Sequence, residues 1–455
     1  MNVRYGLGLF LFILATRLAH WRVLWVEEAY PMAGALAMLH GLVPYRDFWY
    51  DKPPLAMLFY LLCGAYDGWP LRLLATAYIF ACSLAAWYGA RTRWDEKTAH
   101  LAAALTAFFL TFGLPAAVMA IAPDLLLVLP HLAAIAFAWR GRAFAAGLMA
   151  GVALGMHAKG LFVLAAAALF LPATAWPTLL AGCAVPVLGL AGALWALGAL
   201  PGYWQQVWQW GSLYAKDSYL VSPWIEGLQR TLNWLGFAAA LVVGTVVAMR
   251  RESWRFGVWL FLMLASVALG LRFFPRYYFA LVPPMALLAA RGLAVGRWQF
   301  ALLLLLIPAI RFGPGYVRTA LGKPTADLAL FEDDQRAARV IPSGESLFVW
   351  GYRPELYVLT RAPLGSSYLE SQPLTGVLAD RHLTSSKPSD TAYTAGHLAR
   401  LAASKPQWVV DGLGPLNGAL ALQRMPELRE WLSHYRVAGN WRTLVLYQRW
   451  PKASP

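Results

Sequence analysis

The chain has 455 residues, 59% of them hydrophobic and only 13% charged, about half the charge content of a soluble domain. With a mean hydropathy of +0.51, this composition excludes a disordered chain, a collagen-like fibre, a coiled coil and an ordinary cytosolic enzyme. The 38 basic and 23 acidic residues leave a net charge of +15, which in a mostly lipid-embedded chain speaks to membrane topology and not to nucleic-acid binding.

A crossing helix needs about 20 apolar residues. Windows of that length predict spans near 5–24, 71–90, 98–114, 122–139, 143–158, 160–175, 178–200, 230–249, 256–272, 277–292 and 298–311, about 11 in all. The first is no cleaved signal peptide, because Arg17, His20 and Arg22 crowd its far end and no small-residue cleavage site follows. Trp21, Trp25, Trp94, Trp139, Trp176 and Trp254 sit at the edges of apolar runs, as in an interfacial aromatic belt. Cys63, Cys82 and Cys183 lie in apolar runs without ligand spacing and read as small buried hydrophobes.

Basic residues set the orientation. With the N-terminus in the cytoplasm, inner loops hold Arg4, Arg91, Arg93, Lys97, Arg140, Arg142, Arg250, Arg251, Arg255, Arg291 and Arg297. The outer side receives Glu27, Glu28, Asp47, Asp51, Asp67, Asp124, Asp217 and Glu226. Two outer segments exceed simple turns. Residues 25–70 hold short apolar stretches broken by Pro and charge, which read as interfacial helices. Residues 201–229 are rich in aromatics and amides. From 312 to 455 the long apolar runs stop, and SLFVWGY, PQWVVDGLG and RTLVLYQRW read as strands between helical patterns. The expectation is a polytopic α-helical membrane module, 1–311, followed by a small extracytoplasmic α/β domain, 312–455.

The first outer segment carries the chemistry. Glu27 and Glu28 end the first span, Tyr30 follows, then Tyr45-Arg46-Asp47 and Asp51-Lys52-Pro53-Pro54. Such carboxylates can deprotonate a hydroxyl or hold a divalent cation, with Glu27, Asp47 and Asp124 as metal candidates. Pro53 disfavours helix at Lys52 and starts the next one, so Lys52 is presented at a helix entrance where an anion such as a lipid phosphate is favoured. Asp124, Lys159, Arg272 and Arg276 also fall at outer span ends, which suggests a shared cavity. The plainer alternatives are solvated loop charges, a helix N-terminal charge for Asp124, snorkelling for Lys159 and headgroup contact for the two arginines. His20 and His157 read as satisfied helix-end histidines, and Trp350, Tyr352 and Tyr357 as core aromatics.

The ordered set Val26-Glu27-Glu28-Ala29-Tyr30, Gly41-Leu42-Val43-Pro44-Tyr45-Arg46-Asp47 and Asp51-Lys52-Pro53-Pro54 resembles the first outer loop of a glycosyltransferase family of the GT-C fold. That family comprises the bacterial dolichyl-phosphate-mannose–protein mannosyltransferase-like and lipid A aminoarabinose transferase-like enzymes. Ala122-Pro123-Asp124, Gly155 to Gly160 around Lys159, Arg272 to Tyr278 with Pro283-Pro284, and Trp350-Gly351-Tyr352 continue the resemblance in order along most of the chain. The family has Asp-Glu where this chain has Glu27-Glu28, which leaves both glutamates as candidates for the base.

The resemblance implies an inverting transfer of sugar from a polyprenyl phosphate to a hydroxyl of a glycolipid, glycan or protein, at the outer face of the bacterial cytoplasmic membrane. Glu27, Glu28 and Asp124 would be catalytic. Lys52, Arg272, Arg276 and Lys159 would hold the donor phosphate, and Asp47, Asp51, Tyr30, Tyr45 and Arg46 would orient substrate. A divalent metal stays open. A transporter or flippase of lipid-linked substrates and a non-catalytic scaffold for envelope assembly are the alternatives; no paired half-sequences suggest an inverted repeat.

Overall fold

A computed structural model describes residues 1–216, 218–389 and 391–450; Asp217 lies outside the described residues, as do the side chains of Arg297, Ala326, Asp327 and Leu330. Every segment expected to span is helical, but few are long. Trp69–Arg93, Ala173–Ala196 and Trp298–Ala320 have the length and apolarity to cross a membrane, and the pair Pro223–Phe237 and Ala239–Met249 does so only as one span bent by 89°. The remainder are shorter, such as Pro123–Trp139, Ala143–Met156, Gly160–Leu169 and Trp254–Ala268. Among the described residues, length and composition alone therefore support three or four spans where hydropathy windows give about eleven. The window method reads hydropathy through breaks that the backbone makes, as at Ala238 and in the 3₁₀ turn Pro275–Leu281 ahead of Val282–Leu293.

Local signals account for the helix ends. Trp69–Arg93 starts after Gly68 with Pro70 in its first turn and ends on Arg91 and Arg93, the order that the helix dipole favours. Asp95 caps Glu96–Phe109 by accepting from the Thr98 amide. Small residues bring helices into backbone contact. A Cβ added at Gly147 would overlap the Leu179 carbonyl, and one at Gly182 the Phe144 carbonyl, so Ala143–Met156 and Trp176–Ala196 meet through glycines. Gly244 and Gly292 do the same for Ala239–Met249 and Val282–Leu293.

The tail forms a four-stranded sheet of β1 (Leu347–Trp350), β2 (Trp408–Asp411), β3 (Tyr435–Asn440) and β4 (Val445–Arg449) in the order β1-β2-β4-β3. β1 runs parallel to β2, with Leu347 opposite Trp408, and the β2–β4 and β3–β4 pairs are antiparallel. β1 and β2 are buried on both faces, as parallel strands covered by helices are. This sheet does not stand apart. Leu347, Val349 and Val410 belong to the same buried cluster as Ala29 and Tyr30. The Trp49 amide donates to the Ser367 carbonyl at 2.9 Å, and Arg361 donates to the carbonyls of Ala65 and Gly64. The expected boundary at 311/312 falls inside the helix Leu306–Ala320, so composition changes before the helix ends.

One buried ion pair pins the outer end of the first helices. Arg72 donates to both Glu28 oxygens, at 2.5 and 3.1 Å, and to the Val23 carbonyl at 2.6 Å. Glu28 also accepts from the amides of Trp25 and Ile121, and both side chains are fully buried. Three chain segments thus meet on one carboxylate.

Removing one partner of such a pair leaves a bare buried charge, at a cost of about 3–5 kcal/mol. Arg72→Leu is expected to lower the thermal midpoint in detergent sharply, and Glu28→Leu with Arg72→Leu to recover most of the loss. Likewise, overpacking a tight interface costs about 1–3 kcal/mol or more. Gly147→Leu should destabilise, whereas Gly189→Ala, with open space around its Cβ, should leave the midpoint unchanged.

Candidate functional site

Four charges from four segments converge. Glu27 comes from the helix Val26–Leu39, Asp124 from the turn Pro123–Leu126, Lys159 from the loop before Gly160–Leu169, and Arg276 from the 3₁₀ turn Pro275–Leu281. The Arg276 guanidinium links the two acids: its Nη1 lies 2.6 Å from Glu27 Oε1 and its Nε 3.6 Å from Asp124 Oδ2. Lys159 Nζ donates to Asp124 Oδ1 at 2.9 Å and sits 3.4 Å above the Tyr277 ring. His157 Nε2 is 3.7 Å from the same Asp124 oxygen. Exposure separates the roles. Asp124 and Lys159 are buried, while the Glu27 and Arg276 side chains are 23% and 22% exposed and so reachable.

The two adjacent glutamates are therefore not equivalent. About one hundred degrees around the helix from each other, Glu27 faces the charged cluster and Glu28 faces Arg72. Glu28, expected among the catalytic acids, is sealed in its ion pair and two amide bonds, and its place is structural.

Lys52 stands at the edge of the cluster. Its Nζ donates to Asp51 Oδ2 at 2.8 Å, lies 5.6 Å from the Tyr214 ring, and interacts electrostatically with Glu27. The helix Pro54–Leu61 starts directly after Pro53, so Lys52 stands at its entrance. Tyr45 holds the loop from below. At φ +66° it is in the left-handed region, strained for a non-glycine residue, and its hydroxyl donates to the Lys52 carbonyl at 2.7 Å. Gln206 clips the same loop from a π-helical turn, Trp204–Gln209: its amide accepts from the Tyr50 N–H and donates to the Tyr45 carbonyl, both at 2.9 Å. Tyr30 is buried against Tyr50 and Tyr352, and its hydroxyl accepts from the Asp51 amide at 3.4 Å.

Three expected positions lie elsewhere. Asp47 is held by Arg46 at 2.8 Å and by the Val43 amide, and Arg46 reaches on to the Leu197 carbonyl; the pair shapes the loop. The side-chain hydrogen bond to Arg46 holds the Asp47 carboxyl below its usual range. Arg272 is buried, ion-paired to Asp380 and laid 3.7 Å from the Tyr214 ring. It joins the membrane part to the tail and shares the Tyr214 ring with Lys52. Leu271 and Phe273 on either side have φ of +50° and +48°, a strained turn fixed by that docking.

A metal does not fit the residues proposed for it. Among the described residues no three His, Cys, Asp or Glu side chains come together to hold one. The Arg276 guanidinium lies between Glu27 and Asp124, and Asp47 is bound to Arg46. The acids have cationic partners from the chain itself.

Beside the cluster opens a cavity of about 620 Å³ with aromatic walls that include Phe109, Phe112, Trp234, Phe274 and Phe312, and with Arg230, Arg311 and Arg381 among its lining residues. Phe274 separates it from the cluster, because Arg276 packs 4.8 Å from that ring. Arg72, Gln206, Tyr214 and Tyr277 went unassigned in the sequence. Arg72 had a visible signal, a charge one turn into a long apolar helix; Tyr277 lay inside the Arg272 to Tyr278 stretch without a role of its own, and Gln206 and Tyr214 had no signal.

No family model matches the chain, and no curated protein matches it in sequence. Solved structures do match in shape. ArnT from Cupriavidus metallidurans bound to undecaprenyl phosphate aligns over 100% of both chains, at 15% identity and a TM-score of 0.59. The same protein in its apo state aligns over 98% of this chain and 97% of its own, at 14% identity and 0.59. The Archaeoglobus fulgidus oligosaccharyltransferase in complex with Zn and sulfate aligns over 94% of this chain and 71% of its own, at 13% identity and 0.51. ArnT and the oligosaccharyltransferase are both of GT-C fold, and that is the fold of this chain.

Proposed function

We propose that the chain is an inverting glycosyltransferase that moves a sugar from a polyprenyl phosphate to an acceptor hydroxyl at the outer membrane face. The observation that carries the proposal is the Glu27–Arg276 pair: a reachable carboxylate and a reachable guanidinium, backed by buried Asp124 and Lys159, with Lys52 alongside. The GT-C fold supports it, as does the presence of undecaprenyl phosphate in ArnT and dolichol phosphate in an archaeal oligosaccharyltransferase AglB.

In the resting state Arg276 holds Glu27 in an ion pair. A donor phosphate beside Lys52 draws Arg276 toward itself, since a guanidinium pairs with phosphate as readily as with carboxylate. Glu27 is then released from its cation and free to accept a hydrogen bond from the acceptor hydroxyl. It takes the proton of the acceptor hydroxyl as the oxygen attacks the anomeric carbon. The new C–O bond forms as the bond from that carbon to the phosphate oxygen breaks. The electron pair leaves on the polyprenyl phosphate, where Lys52 and Arg276 stabilise the growing charge. A single displacement inverts the anomeric centre. Asp124 fixes Lys159 and the far side of Arg276, so it positions the cation and does not itself react. The aromatic cavity suits the apolar part of a lipid substrate. Neither transport nor scaffolding accounts for an accessible acid paired to a shared arginine.

The test uses purified protein in nanodiscs, polyprenyl-phosphate sugars and an envelope glycolipid extract. Glu27→Gln should lower kcat by about 10²–10⁴-fold, the range for a lost general base, with donor KM little changed. Lys52→Ala should chiefly raise donor KM. Full transfer by both variants removes these assignments, and a wild type that never consumes a donor removes the enzyme reading.

A further inference from the structure

The tail contributes a residue to the lysine side of this site. Segment 366–372 is stapled to the first outer loop, with Trp49 and Tyr368 forming a parallel bridge and the Trp49 amide bonded to Ser367. That staple, two residues before Asp51 on one side and two before Glu370 on the other, brings Glu370 within electrostatic reach of Asp51 and Lys52. Glu370 is 1% exposed; its Oε2 accepts from the Gln372 amide at 2.5 Å and its Oε1 from the Gln372 side chain at 3.3 Å. Asp51 is 8% exposed. Its Oδ2 takes Lys52, but its Oδ1 is buried and has no hydrogen-bond partner among the described residues. Two buried carboxyls therefore lie within electrostatic reach of one ammonium, and Asp51 is the one bonded to it. The other titratable groups around Glu370 are the phenols of Tyr30, Tyr352, Tyr357 and Tyr393, which stay neutral at ordinary pH.

Two adjacent carboxylates with a single counter-cation hold one proton between them, since the second charge is repelled by the first. We propose that Glu370 is a positioning residue that carries this proton and so keeps the Lys52 ammonium available to the donor phosphate. With Glu370 neutral, Asp51 and Lys52 balance, and Lys52 can turn one N–H to Asp51 and the others to phosphate. With Glu370 ionised, a second anion competes for the same ammonium, and the phosphate meets net negative charge. Burial, and next the Asp51 charge, push the Glu370 carboxyl up to about 8. The sign follows: the proton is present below about pH 8, and donor binding weakens as pH rises through that value.

The inference rests on the lipid-phosphate reading of Lys52, and direct binding separates the two. Undecaprenyl phosphate is titrated into the full-length protein in nanodiscs from about pH 7 to 9.5. The ligand's own second ionisation, near 6, is complete before this range, and a free lysine, near 10.4, remains largely charged across it. Wild type should lose about tenfold in affinity between pH 7.5 and 9. Glu370→Gln, an isosteric mimic of the protonated acid, should keep the pH 7.5 affinity throughout. Asp51→Asn, which removes the repelling neighbour, should move the fall to lower pH. Binding by wild type that is flat with pH, or an equal fall in Glu370→Gln, overturns the inference while leaving the lipid-phosphate reading intact. No binding at any pH overturns both.

Discussion

An ion buried at a low-dielectric face must be paired, because an unpaired one costs several kcal/mol. The face of this protein that carries the charged cluster is organised by that requirement. Glu28 takes Arg72, Asp124 takes Lys159, Glu27 takes Arg276, Asp51 takes Lys52 and Asp380 takes Arg272. Each pair joins segments or fixes a loop. They differ in exposure, and exposure separates structure from chemistry. Glu28–Arg72 and Asp380–Arg272 are sealed, so they lock helices and tail in place. Glu27–Arg276 is partly open, which is why the proposed chemistry is assigned to it.

The site depends on parts far apart in sequence. The first outer loop is held by Tyr45 and by Gln206, 161 positions downstream. The tail adds Asp380 behind Arg272 and Glu370 beside Asp51. The sheet of the tail is thus more than an appended module: its connecting segments close the membrane-facing cluster from outside. The aromatic cavity lies across Phe274 from Arg276, which places room for an apolar chain next to a centre of positive charge.

Much of the site was legible in the sequence, for a physical reason. Charge is so scarce in apolar helices that each instance signals a requirement, and parity of the spans placed Glu27, Asp124, Lys159 and Arg276 on one side. Their convergence follows from that placement. What parity could not resolve was direction around a helix. Glu27 and Glu28 are adjacent in sequence yet point to different partners, and only the position of Arg72 separates them. Arg272 and Arg276 lie one turn apart in a segment whose strained residues, Leu271 and Phe273, send the first toward Asp380. The span count is exposed to a related effect: hydropathy averages over a window and does not register an 89° bend near Ala238. Glu370 carried no signal, because its meaning depends on the pairing of Trp49 with Tyr368, which are remote from each other in the chain.

The central claim is a single displacement at the anomeric carbon, with Glu27 taking the acceptor proton. The most direct test is the anomeric configuration of the transferred sugar, read by NMR coupling constants in product made from an anomerically defined, ¹³C-labelled donor. Complete inversion is the predicted result. Retention would require a covalent glycosyl intermediate or a second displacement, and would contradict the role of Glu27 as the base of a one-step transfer.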